Sequence, residues 1–86
     1  MKFQLFVSRA FAPCRDAERI WGEAARQTRI AFSVVDVNSP NGSNLAERMR
    51  VTVVPAVAVD GRLLAIGVQT TEEARRLIAS AGGGDA

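Results

Sequence analysis

Residues 45–61 read Leu45-Ala-Glu-Arg-Met-Arg-Val-Thr-Val-Val-Pro-Ala-Val-Ala-Val-Asp-Gly61. Three kinds of local order follow one another here. Leu45 and Met49 stand four apart, the spacing of one helix face, and predict a short helix over Asn44 to Arg50. Val51 to Pro55 is a connector. Ala56 to Asp60 is a short apolar run that predicts a strand, and Arg62 to Ile66 predicts another, closed by Gly67. Between them Asp60-Gly61 is a strong hairpin signal, because two-residue hairpin loops need positive φ at both positions. Pro55 stands directly before a strand, and sheets tolerate proline only at a start, an edge or a bulge. Val54-Pro55 is therefore a special junction, and from composition alone a trans bond is expected there.

Toward the N-terminus, Lys2 to Ser8 alternates as a strand. Phe3, Leu5 and Val7 share one face and Phe6 adds apolar surface to the other, which points to a central strand covered on both sides. Arg9 to Pro13 is a loop. Cys14 to Thr28 predicts a helix, with Ala17, Ile20, Trp21, Ala24 and Ala25 forming one apolar stripe. Trp21 belongs to the core on this reading. Pro13 suits the first turn, where its fixed φ fits and its missing N–H costs little. Ile30 to Val37 is a second strand, and Asp36 to Ser43 a loop rich in turn formers, with Asp36 and Gly42 as turn residues. Near the C-terminus, Thr70-Thr-Glu-Glu73 is a capping box that opens a helix ending near Ser80, so the Glu72/Glu73 pair is a cap and not an acid/base site. Gly82 to Ala86 is expected to be a disordered tail.

The order β-α-β-α-β-β-α predicts an α/β fold, a four-stranded mixed sheet with helices on both faces. The first two strands, joined through a helix, should be parallel by a right-handed crossover. With 86 residues the chain holds one domain, assigned to residues 1–81. Folding should bury about 63% of the unfolded surface, enough for one core without staples.

Composition removes several function classes. The chain is 48% hydrophobic and 23% charged with net charge +2, so it is neither disordered by composition nor strongly basic. Every cation except Lys2 is an arginine, and the arginines are spread among acids along the chain. A nucleic-acid footprint would cluster them on one stripe with aromatics between, so no nucleic-acid partner is expected. Gln4 interrupts the short apolar run of Phe3 to Val7, which falls short of the roughly 7–15 apolar residues of a secretory core. No stretch approaches the roughly 18 apolar residues of a membrane span, so neither a leader nor a membrane partner is expected and the default compartment is the cytoplasm.

With no His and one Cys, an intramolecular disulfide, a Cys/His zinc site within one chain and a His-based dyad are all impossible. Chemistry falls first to Cys14. It opens the first helix, where free amides and a partial positive charge favour an anion. Were Cys14 the N-cap, its sulfur would accept from the amides of Asp16 or Ala17 at a half-exposed position, with Arg15 favouring the thiolate and Asp16 opposing it. The competing reading is a small buried apolar residue, the usual fate of a free Cys.

The Cys at the helix mouth, the segment Val35-Asp-Val-Asn38 and the run Leu45 to Gly61 together resemble the thioredoxin-like superfamily. The similarity is to short thioredoxin- or glutaredoxin-like proteins without the extra N-terminal strand and helix, and it covers residues 2–80. It implies a thioredoxin fold, a cis bond at Pro55, a catalytic Cys14 with Arg15 beside it, and a substrate groove formed by Pro13, Val54 and Pro55, where the backbone of Val54 pairs with an extended protein or peptide disulfide. The family pattern is Cys-x-x-Cys, but this chain reads Cys14-Arg15-Asp16-Ala17, so the resolving thiol is absent. The chain also lacks the Cys-Gly-Phe-Ser motif and the Gly-Gly pair of monothiol glutaredoxins. No resident cofactor is expected, and glutathione enters only as an external thiol. Three functions follow: monothiol exchange through Cys14, a redox-inactive module binding a partner in the groove, or a Cys14-linked dimer (by disulfide or shared metal) of an otherwise monomeric chain.

Overall fold

The computed structural model describes residues 1–82. Its elements are β1 (Lys2–Val7), α1 (Ala12–Thr28), β2 (Ala31–Asp36), α2 (Pro40–Arg48), β3 (Ala56–Val59), β4 (Arg62–Ile66) and α3 (Thr71–Ser80). The strands form one mixed sheet in the order β2-β1-β3-β4. β1 and β2 are parallel, and β3 runs antiparallel to both β1 and β4. Gly82 closes a turn, its amide donating to the carbonyl of Ala79 at 3.0 Å. The rest of the expected tail, residues 83–86, lies outside the described residues.

β1 is central, as its two apolar faces require. On one side Phe3, Leu5 and Val7 join Val57 and Val59 of β3 beneath α1 and α3, which contribute Ala17, Trp21, Ala24, Ala74 and Ile78. Trp21 is fully buried there, its ring 6.4 Å from that of Phe3. On the other side Phe6, Ala56 and Ala58 lie beneath α2, which contributes Ala46 flanked by Leu45 and Met49. Burying one such large apolar side chain is worth roughly 1.5–3 kcal/mol, so the helical cover on both faces is what stabilises the sheet. No helix among the described residues is long and apolar enough to cross a membrane.

The turns follow from their residues. Asp60 and Gly61 both take positive φ, 49° and 82°, the geometry of a two-residue hairpin whose twist matches the strands. The capping box of α3 is complete: the Glu73 amide donates to Thr70 Oγ1 at 3.0 Å and the Thr70 amide donates to Glu73 Oε1 at 2.8 Å.

Two helices begin earlier than the sequence suggests. α1 starts at Ala12 instead of Cys14, with Phe11 as an extended N-cap that makes no side-chain cap bond. The expected loop over Asp36 to Ser43 is in large part helix, because Ser39 and Pro40 act as N-cap and first residue of α2. Ser39 Oγ accepts from the Gly42 amide at 3.0 Å and donates to the Asp36 carbonyl at 2.8 Å. The helix also stops sooner, since Arg50 turns to a left-handed φ of 58°. Gly42 is thus not a turn glycine but a residue of α2 whose missing side chain lets the helix approach β2. A Cβ there would lie 1.9 Å from the carbonyl oxygen of Asp36. Gly42→Ala is expected to destabilise the fold by about 2 kcal/mol or more through overpacking against backbone that cannot give way. Urea unfolding followed by Trp21 fluorescence should show a lower midpoint with an unchanged slope.

Candidate active site

β1 ends at Val7 and the chain crosses the end of the sheet through Ser8 to Phe11 before α1 begins. This crossing is pinned from two sides. The Val37 amide donates to the Val7 carbonyl at 2.9 Å, and Asn38 Nδ2 donates to Ser8 Oγ at 3.0 Å. Arg9 pairs with Asp36 across 3.7 Å, an exposed contact of small energetic weight. Asp36 also accepts from the Asn38 amide at 2.9 Å, in keeping with a turn role.

Cys14 is the third residue of α1. Inside the helix, the amides of Asp16 and Ala17 belong to the helical ladder and are not aimed at its sulfur. The sulfur instead accepts from the backbone amide of Ser8 at 3.4 Å. The expectation of a half-exposed N-cap thiol is therefore corrected: the residue is only 1% exposed. The reason is periodic. Cys14 stands one turn before Ala17, so starting the helix at Ala12 carries the apolar stripe through Cys14 and turns its side chain onto the sheet. Its free thiol packs in the same core as Val7, Ala17 and Val57. Ala17, at the position of the missing second thiol, is completely buried.

Cys14 still borders a cavity. Val7, Arg9, Cys14, Arg15 and Glu18 line a cavity of about 240 Å³ at the mouth of α1. Arg15 thus shares a cavity with Cys14, and Arg9, from the loop before α1, joins it. Pro13 sits half-buried in the first turn of α1 beside an exposed apolar Phe11.

The Val54–Pro55 peptide bond is cis. Pro55 is buried and Val54 half-buried, packed against the cores on both sides of the sheet. Phe6 of β1 is opposite Ala56 of β3, so the next antiparallel step sets Pro55 opposite Val7, a residue that lines the cysteine cavity. Sheet register thereby brings Cys14 and the Val54–Pro55 junction to the same end of the sheet, although Val54 lies 40 residues after Cys14 in the chain. The Gly67 amide donates to the Pro55 carbonyl at 2.8 Å and fixes the junction from the other side.

Gln69 is a positioning residue that no pattern in the sequence singles out. Its Oε1 accepts from Trp21 Nε1 at 3.0 Å and its Nε2 donates to the Ile66 carbonyl at 3.0 Å, tying α1 to the end of β4. Among the described residues no group of His, Cys, Asp and Glu side chains is placed to hold a metal ion.

Comparison with known proteins bears on family and fold. The sequence profile described as Thioredoxin domain matches residues 1–79. A protein of Archaeoglobus fulgidus named "Probable Thioredoxin" is 28% identical over 82 residues, covering 95% of this chain and 90% of the relative. Among solved structures, the oxidised thioredoxin of Plasmodium falciparum superposes with a TM-score of 0.72 at 20% identity, covering 92% of this chain and 78% of that one. A second structure of Plasmodium falciparum thioredoxin gives a TM-score of 0.71 at 19% identity, with 92% and 83% covered. These structural likenesses bear on the fold.

The sulfur–amide contact yields a direct check. Replacing Cys14 with Ala removes the only acceptor observed for the Ser8 amide, so that amide should exchange with solvent faster while those of Leu5 and Phe6 stay protected. Hydrogen exchange by NMR measures this, and unchanged protection at Ser8 would contradict the contact. With a profile match that spans residues 1–79, the chain belongs to the thioredoxin domain family.

Proposed function

We propose that this thioredoxin-family chain carries out thiol–disulfide exchange through Cys14 alone. The observation that supports it most is the placement of the one sulfur, held by the Ser8 amide at the edge of an arginine-flanked cavity beside the Val54–Pro55 junction. The Cys14 thiolate attacks one sulfur of a protein or peptide disulfide. A new disulfide forms between Cys14 and that half of the substrate, and the other half leaves as a thiolate. An external thiolate, of which glutathione is one example, then attacks the mixed disulfide and returns Cys14 to its reduced form. Arg15 and the positive end of α1 favour the anionic sulfur. Pro13, Val54 and Pro55 seat the extended substrate. The chain needs no resident cofactor on this route, works as a monomer, and belongs in a reducing compartment such as the cytoplasm.

A second reading has its own support. The 1% exposure of Cys14 and the buried Ala17 in place of a resolving thiol suit a module that binds a partner in the same groove without turnover.

Reaction of the native chain with oxidised glutathione separates the two. The exchange reading expects a Cys14 mixed disulfide, seen by intact mass, forming faster than with free cysteine at the same pH. A slower reaction that appears only with urea would sink that reading and favour the binding module. A Cys14-dependent dimer on non-reducing gels would instead assign the thiol to cross-linking two chains. As a gain-of-function counterpart, Ala17→Cys places a second sulfur one helical turn from the first. It is expected to give a dithiol that reduces insulin disulfides above the level of the parent chain.

A further inference from the structure

The second face of the sheet is only partly covered. α2 lies over β1, β2 and the small buried side chains of β3, Ala56 and Ala58, and the same face of β4 carries no helix. β4 meets this gap with large apolar side chains: Leu63 is 48% exposed and Ile66 is 55% exposed.

A regular strand would not produce this pattern. Residues three apart on a strand point to opposite faces. Here Ala56 is opposite Ile66 and Val57 opposite Ala65, while Ala58 is opposite Leu63, so Leu64 is one extra residue in β4. This bulge turns Leu64 and Ala65 inward together, against the α1 side core, and leaves Leu63 and Ile66 together on the open side. A chain avoiding exposed apolar surface gains nothing by such a shift. The shift builds a patch, and Val53, 52% exposed, extends it. Val53, Leu63 and Ile66 line a cavity of about 110 Å³ with Ala56, Val51, Thr52 and Arg50.

Arg50 is the only charged residue lining the cavity, and it forms no ion pair among the described residues. β4 is also an edge strand, so its outward N–H and C=O groups have no partner in the sheet.

We propose that the bulged β4 edge and the apolar patch of Val53, Leu63 and Ile66 are a docking surface for an extended segment of a partner protein with apolar side chains flanked by carboxylates. The segment's backbone pairs with the edge of β4, two alternate side chains settle on Val53, Leu63 and Ile66, and a flanking carboxylate meets Arg50. This surface lies on the opposite face of the sheet from the core that holds Cys14 and needs no sulfur chemistry.

The probe is a labelled synthetic peptide, Glu-Glu-Leu-Thr-Leu-Glu-Glu, beside a version with Lys for each Glu. Fluorescence anisotropy compares their affinities and NMR locates the contact. The Glu peptide is expected to bind with amide shifts confined to residues 50–53 and 62–67. An exposed ion pair is worth up to about fivefold in affinity, so the Lys peptide should bind about tenfold or more weakly. Arg50→Glu should invert that preference, and Leu63→Ser or Ile66→Ser should weaken both peptides while leaving the fold intact, as judged by Trp21 fluorescence. Equal binding of the two peptides, shifts mapping elsewhere, or no binding would overturn the proposal. So would concentration-dependent dimerisation that Ile66→Ser abolishes, since the patch would then be covered by a second copy. The peptide carries no sulfur, so its outcome is separate from that of the thiol-exchange test.

Discussion

Burial of β1 on both faces is the constraint from which the remaining architecture follows. A strand carrying Phe3, Leu5 and Val7 on one side and Phe6 on the other must be roofed twice, and the described residues supply three helices to do it. Two of them, α1 and α3, cover the first side, where Trp21 and Ile78 fill the space above the sheet. One nine-residue helix, α2, covers the second. The two sides are therefore unequal. The first side is sealed tightly enough to take in even the thiol at the start of α1. The second has cover for β1 and β2 but not for β4, and the apolar side chains at Leu63 and Ile66 remain in contact with water.

Because β1 is central, its C-terminal end is also where the candidate site residues meet. The crossing from β1 to α1 and the junction from Pro55 into β3 meet the sheet at the same end, since the register that pairs Phe6 with Ala56 sets Val7 against Pro55. Neither partner needs the other in local sequence. The cavity, the cis peptide and the thiol are neighbours because the strands are, and the strands are neighbours because both faces of β1 and β3 are apolar enough to demand the middle of the sheet.

Much of this was legible before any coordinates. Alternation identified β1 as central, the 3.6-residue stripe identified α1, and Asp60-Gly61 and Thr70 to Glu73 marked a turn and a cap whose geometry their side chains dictate. The beginning of α2 was hidden because Ser39, Pro40, Asn41 and Gly42 are all turn formers by composition. Ser39-Pro40 is also an N-cap and first-turn pair, and its distance from Leu45, rather than its composition, separates the two meanings. The bulge at Leu64 left no mark in an evenly apolar run, and Gln69 is an unremarkable polar residue until Trp21 is folded beneath it. At the site, the identity of the thiol was obvious, as there is one. Its burial turned on a two-residue difference in where α1 begins. Starting at Cys14 makes the sulfur a cap, and starting at Ala12 makes it part of the stripe. The Ser8 amide, a partner from outside the helix, belongs to the crossing and follows from no helical pattern.

The buried sulfur has a kinetic consequence on the single-thiol route. In a dithiol protein the second sulfur resolves the mixed disulfide from within, at the high effective concentration of an intramolecular attack. Here Ala17 contributes a methyl group facing the core, so on the proposed route resolution would fall to an external thiol. If that thiol had to enter through the cavity beside Cys14 while the adduct lasted, access would limit release more than attack. A sulfur packed against Val7 and held by Ser8 is thus better suited to keeping a partner than to cycling quickly among many. The contact proposed for the open face of β4 would act in the same direction, since tethering at one surface raises the effective concentration at the other whenever one partner reaches both.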